Sequence, residues 1–365
     1  MAYNNNHFGN KKVAILIEQG VEDQEFIVPY NGLKQAGMEV VVLGSRMNEK
    51  YKGKRGKLSI QADGTTTEAI ADEFDAVVIP GGMAPDKMRR NPNTVSFVQE
   101  AMQQGKLVAA VCHGPQVLIE GELLKGKQAT GFIAIAKDMI NAGANYSDEP
   151  LIVDGNLITS REPGDLAIFT TAILSRLGYA GKDAALPNEK DTTAEWWKLA
   201  DAWGGSTKSE IGRGLNTALA GERYSLEALE KYAEKESDIE VKSVFQEMIG
   251  NKQRQIQNLE TYLQILGEKP SLGANIANQY AKVKTALTGS DNIYQLRSAL
   301  GDVQTGIGDI SNLCAMYTDP VATAIFKEIY HNLLKYEQQL VELYRARINA
   351  QIEPAKPTTG AAVSM

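Results

Sequence analysis

The sequence predicts two folds in one chain: an α/β domain on a parallel sheet, then an all-α four-helix bundle. Three observations predict this. Short, continuous apolar runs alternate with helical patterns from Lys11 to about Gly178. From about residue 207 to 350 no strand pattern occurs, and four amphipathic stretches fill the region. The length agrees, because 365 residues exceed what one core usually encloses, roughly 250–300.

In the first half, "KVAILIE" (12–18), "MEVVVLG" (38–44), "FDAVVIPGG" (74–82) and "LVAAVCHG" (107–114) are runs of the kind that form strands buried on both faces. Between them, "EFIVPYNGLKQAG" and "TVSFVQEAMQQG" read as helices that close on glycine. Strand–helix alternation specifies a parallel sheet covered on both faces, with ligands at the carboxyl ends of its strands. "PLIVDGNLITSR" (150–161) reads as a hairpin around Asp154-Gly155. A connector then carries all three tryptophans, with one short helix capped by Thr192 or Thr193. So much aromatic area is expected to dock onto a domain. The predicted division is a disordered tail (1–10), the α/β domain (11–180), the Trp-rich linker (181–206), the bundle (207–350) and a second disordered tail (351–365).

The bundle is read from apolar stripes at helical spacing. They are Leu215, Leu219, Leu226 and Leu229; Val241, Phe245, Met248, Ile256, Leu259 and Leu263; Ile293 through Cys314 to Tyr317; and Ile329, Leu333, Tyr336 and Leu340. Pro320 opens the fourth helix. Composition excludes other classes. With 43% apolar and 23% charged residues the chain is neither disordered nor fibrous. A net charge of −7 argues against nucleic acid or an acidic membrane as partner. No apolar run reaches the ~18 residues that span a bilayer, and the amino terminus lacks a secretory pattern. Two distant cysteines make no disulfide framework, which points to the cytoplasm.

Chemistry is concentrated in "AAVCHGPQVLIEGELL" (109–124), where Cys112 and His113 stand at a strand-to-helix turn. Such a turn presents a nucleophile above a sheet, and the following helix directs its positive end there, favouring thiolate. The plainer alternative is a small buried residue ending a core strand. "PGG" (80–82) ends a neighbouring strand and offers amides as an anion nest. The Gly82 amide and the amide after Cys112 can hold a developing oxyanion. "GVEDQEF" (20–26) brings Glu22, Asp23 and Glu25 to the same edge. A protonated carboxyl there can donate to a thiolate; the alternative is a carboxylate favoured by a helix dipole.

These stretches, with "KDMINAGANY" and "DGNLITSREPGD", resemble the ThiJ/PfpI family, the superfamily of the parkinsonism-associated protein deglycase, and "CHGPQ" resembles its PfpI branch. The resemblance implies a flavodoxin-like, class I amidotransferase-like sandwich. It implies Cys112 as nucleophile, Glu25 as its hydrogen-bonding acid and His113 as base. Gly81 and Gly82 would line the oxyanion site, with Glu22 and Phe132 at the substrate. Asp86 stands where the branch carries an acid that reaches histidine from an adjacent subunit, one methylene shorter here. Phe132 and Ile133 replace the branch's usual tyrosine and proline, making the wall more apolar. Class I amidotransferases themselves are excluded, because no histidine follows His113 until His331.

The bundle resembles the ferritin-like superfamily, but "EIYH" (328–331) is one Glu-x-x-His where a di-iron site needs two. His331 is predicted to face solvent, and the third helix to offer no carboxylate in its stripe. Glu222 and Lys252 are predicted to pair inside the bundle where a metal would otherwise lie, leaving no cofactor and no metal. The implied function is a cysteine-dependent stress-response enzyme acting on reactive carbonyls or glycated adducts, deglycase-, glyoxalase- or hydrolase-like. A homodimer or higher homo-oligomer is expected. The alternatives are a redox sensor or scaffold that oxidises Cys112, and a silent binding module.

Overall fold

A computed structural model describes residues 11–179, 181, 185–271 and 292–348. The two tails expected to be disordered, 1–10 and 351–365, lie outside the described residues. In chain order the first elements are β1 (Lys12–Leu16), α1 (Asp23–Gln35), β2 (Glu39–Gly44), β3 (Lys50–Lys52), β4 (Ser59–Gln61), β5 (Gly64–Thr65) and β6 (Ala76–Ile79). Then come α2 (Ala84–Met88), α3 (Pro92–Gln103), β7 (Leu107–Val111), α4 (Pro115–Glu120), β8 (Gln128–Ala129), α5 (Ala136–Asn141), β9 (Asn145–Tyr146), β10 (Leu151–Asp154), β11 (Leu157–Ser160) and α6 (Leu166–Arg176).

The main sheet has the order β10-β11-β7-β6-β1-β2-β5, and every pairing is parallel except the β10–β11 hairpin. Its central strands are the apolar runs of the sequence: Val13–Leu16, Ala76–Ile79 and Val108–Val111 are essentially inaccessible. Helices cover both faces, so these strands cannot alternate polar with apolar residues. The carboxyl ends of β1, β6 and β7 converge, and Glu25, the 80–82 turn and Cys112 follow those ends directly.

Two details differ from the sequence reading. Residues 50–61, left unassigned above, form a small antiparallel hairpin of β3 and β4. The connector helix α7 (Trp196–Ala202) starts after Glu195 without a side-chain cap. Thr192 and Thr193 therefore do not cap it; Asp191 accepts from the Thr193 amide and hydroxyl, at 2.8 and 2.7 Å, which spends that hydroxyl before the helix begins. Two of the three tryptophans dock, while Trp197 stays half-buried. Trp196 and Trp203 are buried, and the Asn31 amide donates to the Trp203 carbonyl at 2.9 Å.

The helical region consists of α8 (Lys208–Lys235), α9 (Ile239–Ile265), α10 (Asn292–Cys314) and α11 (Pro320–Arg347). The described residues form two compact units. One holds the chain up to Gly214 together with Leu313–Ala324, and the other holds Leu215–Asn312 with the residues from Ile325 on. In the second unit Phe245, Ile329 and Leu340 of the stripes are essentially inaccessible, Ile293, Leu300 and Ile307 of the third stripe are half-buried, and His331 is exposed. Asp238 caps α9, accepting from Glu240 and Val241. Lys252 Nζ donates to Glu222 Oε1 at 2.7 Å, with the two residues 3% and 5% exposed.

A ferritin-like fold implies a carboxylate-held metal, but among the described residues an ammonium group occupies the interior carboxylate and His331 faces away, so these residues do not fit one. The third helix carries a carboxylate beside its stripe rather than in it. Asp302, beside the buried Val303, accepts from the Tyr232 hydroxyl at 2.9 Å and lines the same small cavity as Lys252. Burial pushes the Asp302 carboxyl above its usual range, and burial and Asp302 together push up the Tyr232 hydroxyl.

Candidate active site

β7 ends at Val111, and Cys112 turns the chain with a φ of +60°. A residue bearing a β-carbon in this region costs about 1 kcal/mol or more, so the surroundings must hold it there. They do so through both backbone groups. The Cys112 amide donates to Ser160 O at 3.0 Å, and its carbonyl accepts from Phe132 N at 2.9 Å. Cys112 keeps 7% of its surface exposed, and its sulfur lies 3.3 Å from His113 Nδ1. The Phe132 ring packs on the His113 imidazole with centroids 4.9 Å apart.

Glu25 comes from the first turn of α1 and is 1% exposed. Its Oε2 accepts from Gly81 N at 2.7 Å, whereas Oε1 is buried without a hydrogen bond of ordinary geometry. The Cys112 side chain is its electrostatic neighbour. Gly81 allows this convergence. A β-carbon there would come 2.5 Å from Glu25 Oε2, 2.8 Å from His113 N and 2.9 Å from Cys112 Cβ. Gly81→Ala is therefore expected to displace the elbow and destabilise the protein by about 2 kcal/mol or more, read from the urea midpoint alongside Cys112 alkylation.

Gly81 and Gly82 divide the nest between them. The Gly81 amide is taken by Glu25, and the Gly82 amide, at a φ of +73°, makes no hydrogen bond among the described residues. Its loop is pinned to the loop after β1, where Glu22 N donates to Gly81 O at 3.3 Å and Met83 N donates to Gly20 O at 2.9 Å.

Burial, with the Glu22 charge added, pushes the Glu25 carboxyl up to about 8. Burial and the Glu25 charge push the Cys112 thiol up as well. The expectation that the helix start would favour thiolate is corrected here. α4 is six residues long and begins three residues past Cys112, so its short dipole is outweighed by desolvation. The two groups therefore hold their protons jointly near neutral pH. Burial, and then the Lys54 cation, lower the His113 imidazole below its usual range, leaving it neutral and able to accept a proton.

Glu22 is placed differently from its expected role at the substrate. It is buried, and its carboxylate meets Lys54 Nζ at 2.6 Å and Arg55 Nε at 3.0 Å. Asp86 is exposed on α2, and no described hydrogen bond brings it to His113. Sequence reasoning missed Lys54 and Arg55, which ride on the β3–β4 turn. That turn is pinned by Asp23, which accepts from Arg55 N at 2.8 Å and Leu58 N at 2.7 Å. It also missed Tyr146, whose hydroxyl donates to Gly131 O at 3.1 Å and steadies the Phe132 loop. The signal for the turn was present in "YKGKRGKLSI", two short strand-like pieces around a glycine-flanked basic tip.

A strained cysteine at a strand end, covered by a buried glutamate from the first turn of the helix after β1, defines an α/β cysteine-elbow protein. The DJ-1/PfpI family matches residues 11–176, and the chain belongs to that family. It is 44% identical over 155 residues to deglycase PfpI of Pyrococcus furiosus, covering 42% of this chain and 92% of the relative. To protein/nucleic acid deglycase 2 of Escherichia coli it is 39% identical over 170 residues, 46% of this chain and 99% of the relative. Along nearly its whole length it is similar to a crystal structure from Anabaena variabilis of a two-domain protein with DJ-1/ThiJ/PfpI-like and ferritin-like domains. That similarity has a TM-score of 0.90 at 84% identity and covers 96% of this chain and 100% of the other. Among the described residues no helix is long and apolar enough to cross a membrane.

Proposed function

We propose that the chain is a cysteine-dependent stress-response enzyme that acts on small reactive carbonyls or on their glycated adducts. The observation that carries this reading is the convergence of Cys112, neutral His113 and buried Glu25 around Gly81, beside the Gly82 amide, which has no partner among the described residues. His113 Nδ1, in the tautomer protonated on Nε2, takes the thiol proton. The sulfur then attacks the carbonyl carbon, the carbon–oxygen π electrons move to oxygen, and the Gly82 and His113 amides receive that charge. Return of the proton from the imidazolium completes a hemithioacetal. Glu25, protonated, donates toward the sulfur and keeps it from bearing an uncompensated charge. Phe132 closes one side with an apolar ring, which suits a small, uncharged substrate.

Asp86 completes the proposal at the level of assembly. Exposed beside Arg89 and Arg90 along a surface groove, it is available to a second copy of the chain and to that copy's His113. On this reading the enzyme is a homodimer or larger homo-oligomer, with the domain division given by the sequence.

The test compares wild type with Cys112→Ala on methylglyoxal and on a methylglyoxal-treated amino acid. Turnover in wild type that disappears in the variant is the expected result. Absence of turnover in wild type, with a peroxide-dependent gain of two oxygens on Cys112 by mass, would replace the enzyme with an oxidation sensor.

A further inference from the structure

The stretch Leu313–Ala324, which spans the end of α10, the connection after it and the first turn of α11, folds as part of the α/β unit. It is seated there by reciprocal bonds: Ser206 N donates to Thr318 Oγ1 at 2.7 Å and Thr318 N donates to Ser206 Oγ at 3.2 Å. Tyr317 lies close against Gly214, where a β-carbon would come 2.4 Å from its ring. From this stretch the Ala315 carbonyl accepts from Arg55 Nη2 at 2.9 Å. The same guanidinium donates through Nε to Glu22 Oε1 at 3.0 Å, and the Arg55 amide donates to Asp23. The adjoining Lys57 pairs with Glu210 at the start of α8, at 3.1 Å. Within this unit one guanidinium thus joins the Ala315 carbonyl to the Glu22 carboxylate, whose charge acts on Glu25.

We propose that Arg55 is a positioning residue of the Cys112 site, and that the stretch 313–324 holds it in register through the Ala315 carbonyl. The inference rests on the reading of Cys112 and Glu25 as the reactive pair. The charged and titratable groups facing that pair are few. Glu22 comes from the loop before α1, Lys54 from the β3–β4 turn and His113 from the elbow, and Glu25 and Cys112 face each other. Glu22 carries the negative charge in that set, and Arg55 and Lys54 are its two cations. The planar fork of arginine can serve Glu22 and Ala315 together; lysine can match its charge but not both bonds. Withdrawing Arg55 leaves more negative field on Glu25 and on the sulfur, which makes the thiol harder to ionise.

The test follows alkylation of Cys112 by iodoacetamide in the full chain from pH 6 to 10, resolved by peptide mass so that Cys314 is scored separately. Arg55→Ala and Arg55→Gln are expected to move the midpoint upward and slow alkylation at pH 7.5 by about threefold to tenfold. Arg55→Lys is expected to recover part of that loss, because it restores the charge but not the bond to Ala315. Thr318→Ala, which loosens the hairpin stretch without touching the site, is expected to give a smaller shift of the same sign. Unchanged midpoints in both Arg55→Ala and Arg55→Gln overturn the positioning role, as does a shift that Arg55→Lys does not recover even in part. A normal profile in Thr318→Ala overturns the part assigned to the stretch. Alkylation reads the sulfur without any turnover, so a wild type that alkylates as expected but turns over no carbonyl removes the proposed reaction and leaves this inference standing.

Discussion

Glu25→Gln is expected to leave the protein more stable at alkaline pH and far less active near neutral pH, where Glu25 still holds its proton. The side chain is buried and its carboxyl is held up to about 8, against an ordinary 4.5. A raised carboxyl means that the native state binds a proton the unfolded chain gives up between those limits. Stability from this group is therefore complete below about pH 4.5 and is lost as pH rises toward 8. At 1.36 kcal/mol per unit the loss reaches about 3–5 kcal/mol above pH 8. Glutamine keeps an acceptor for Gly81 N and does not titrate, so it escapes the loss. Urea midpoints of the two proteins should agree near pH 5 and diverge by about that amount at pH 8.5, with the variant ahead. Carbonyl turnover should fall by about 10²–10⁴, the usual worth of a positioned proton donor. Parallel stability curves for the two proteins would mean that Glu25 titrates as an ordinary surface acid, and the acid–thiol pairing would go with it.

The same residue shows why the site was legible in the sequence only in outline. Cys112, Gly82 and Glu25 each follow a strand of unmistakable pattern, so their meeting at one sheet edge follows from topology alone. What sequence could not supply was the balance of energies at that edge. The start of α4 favours a thiolate, burial opposes it, and the outcome depends on how completely Glu25 and Cys112 are covered. Glu22 shows the second kind of limit. Its position beside Glu25 was readable, but its cations come from a three-residue hairpin too short to register as periodicity. In the helical region the stripes gave the packing and the Glu222–Lys252 pair, because a charged residue on an apolar face has few ways to be satisfied. Asp302 escaped because it sits beside the stripe and meets Tyr232 from another helix.

Lys252→Met is expected to cost the helical region about 3–5 kcal/mol, whereas the double change Glu222→Leu with Lys252→Met is expected to cost almost nothing or to stabilise. The ion pair is inaccessible to water, and Glu222 Oε2 has no hydrogen bond beyond it. Both charges have given up hydration for one contact of 2.7 Å, and that exchange roughly breaks even. Removing the lysine alone leaves a carboxylate in hydrocarbon with its attraction gone and its desolvation still owed. Removing both replaces two dehydrated charges with apolar volume among Leu229, Met248 and Leu333, which gain contact area. The two measurements can be made on the intact chain, since all three tryptophans belong to the α/β unit. Tryptophan fluorescence then follows that unit, and far-ultraviolet dichroism beyond it follows the helices. The pair's contribution is consequently one of register: sliding α9 along α8 would separate Glu222 from Lys252 and leave two buried charges unpaired. Equal losses in both singles and their sum in the double would show instead that the two residues act independently.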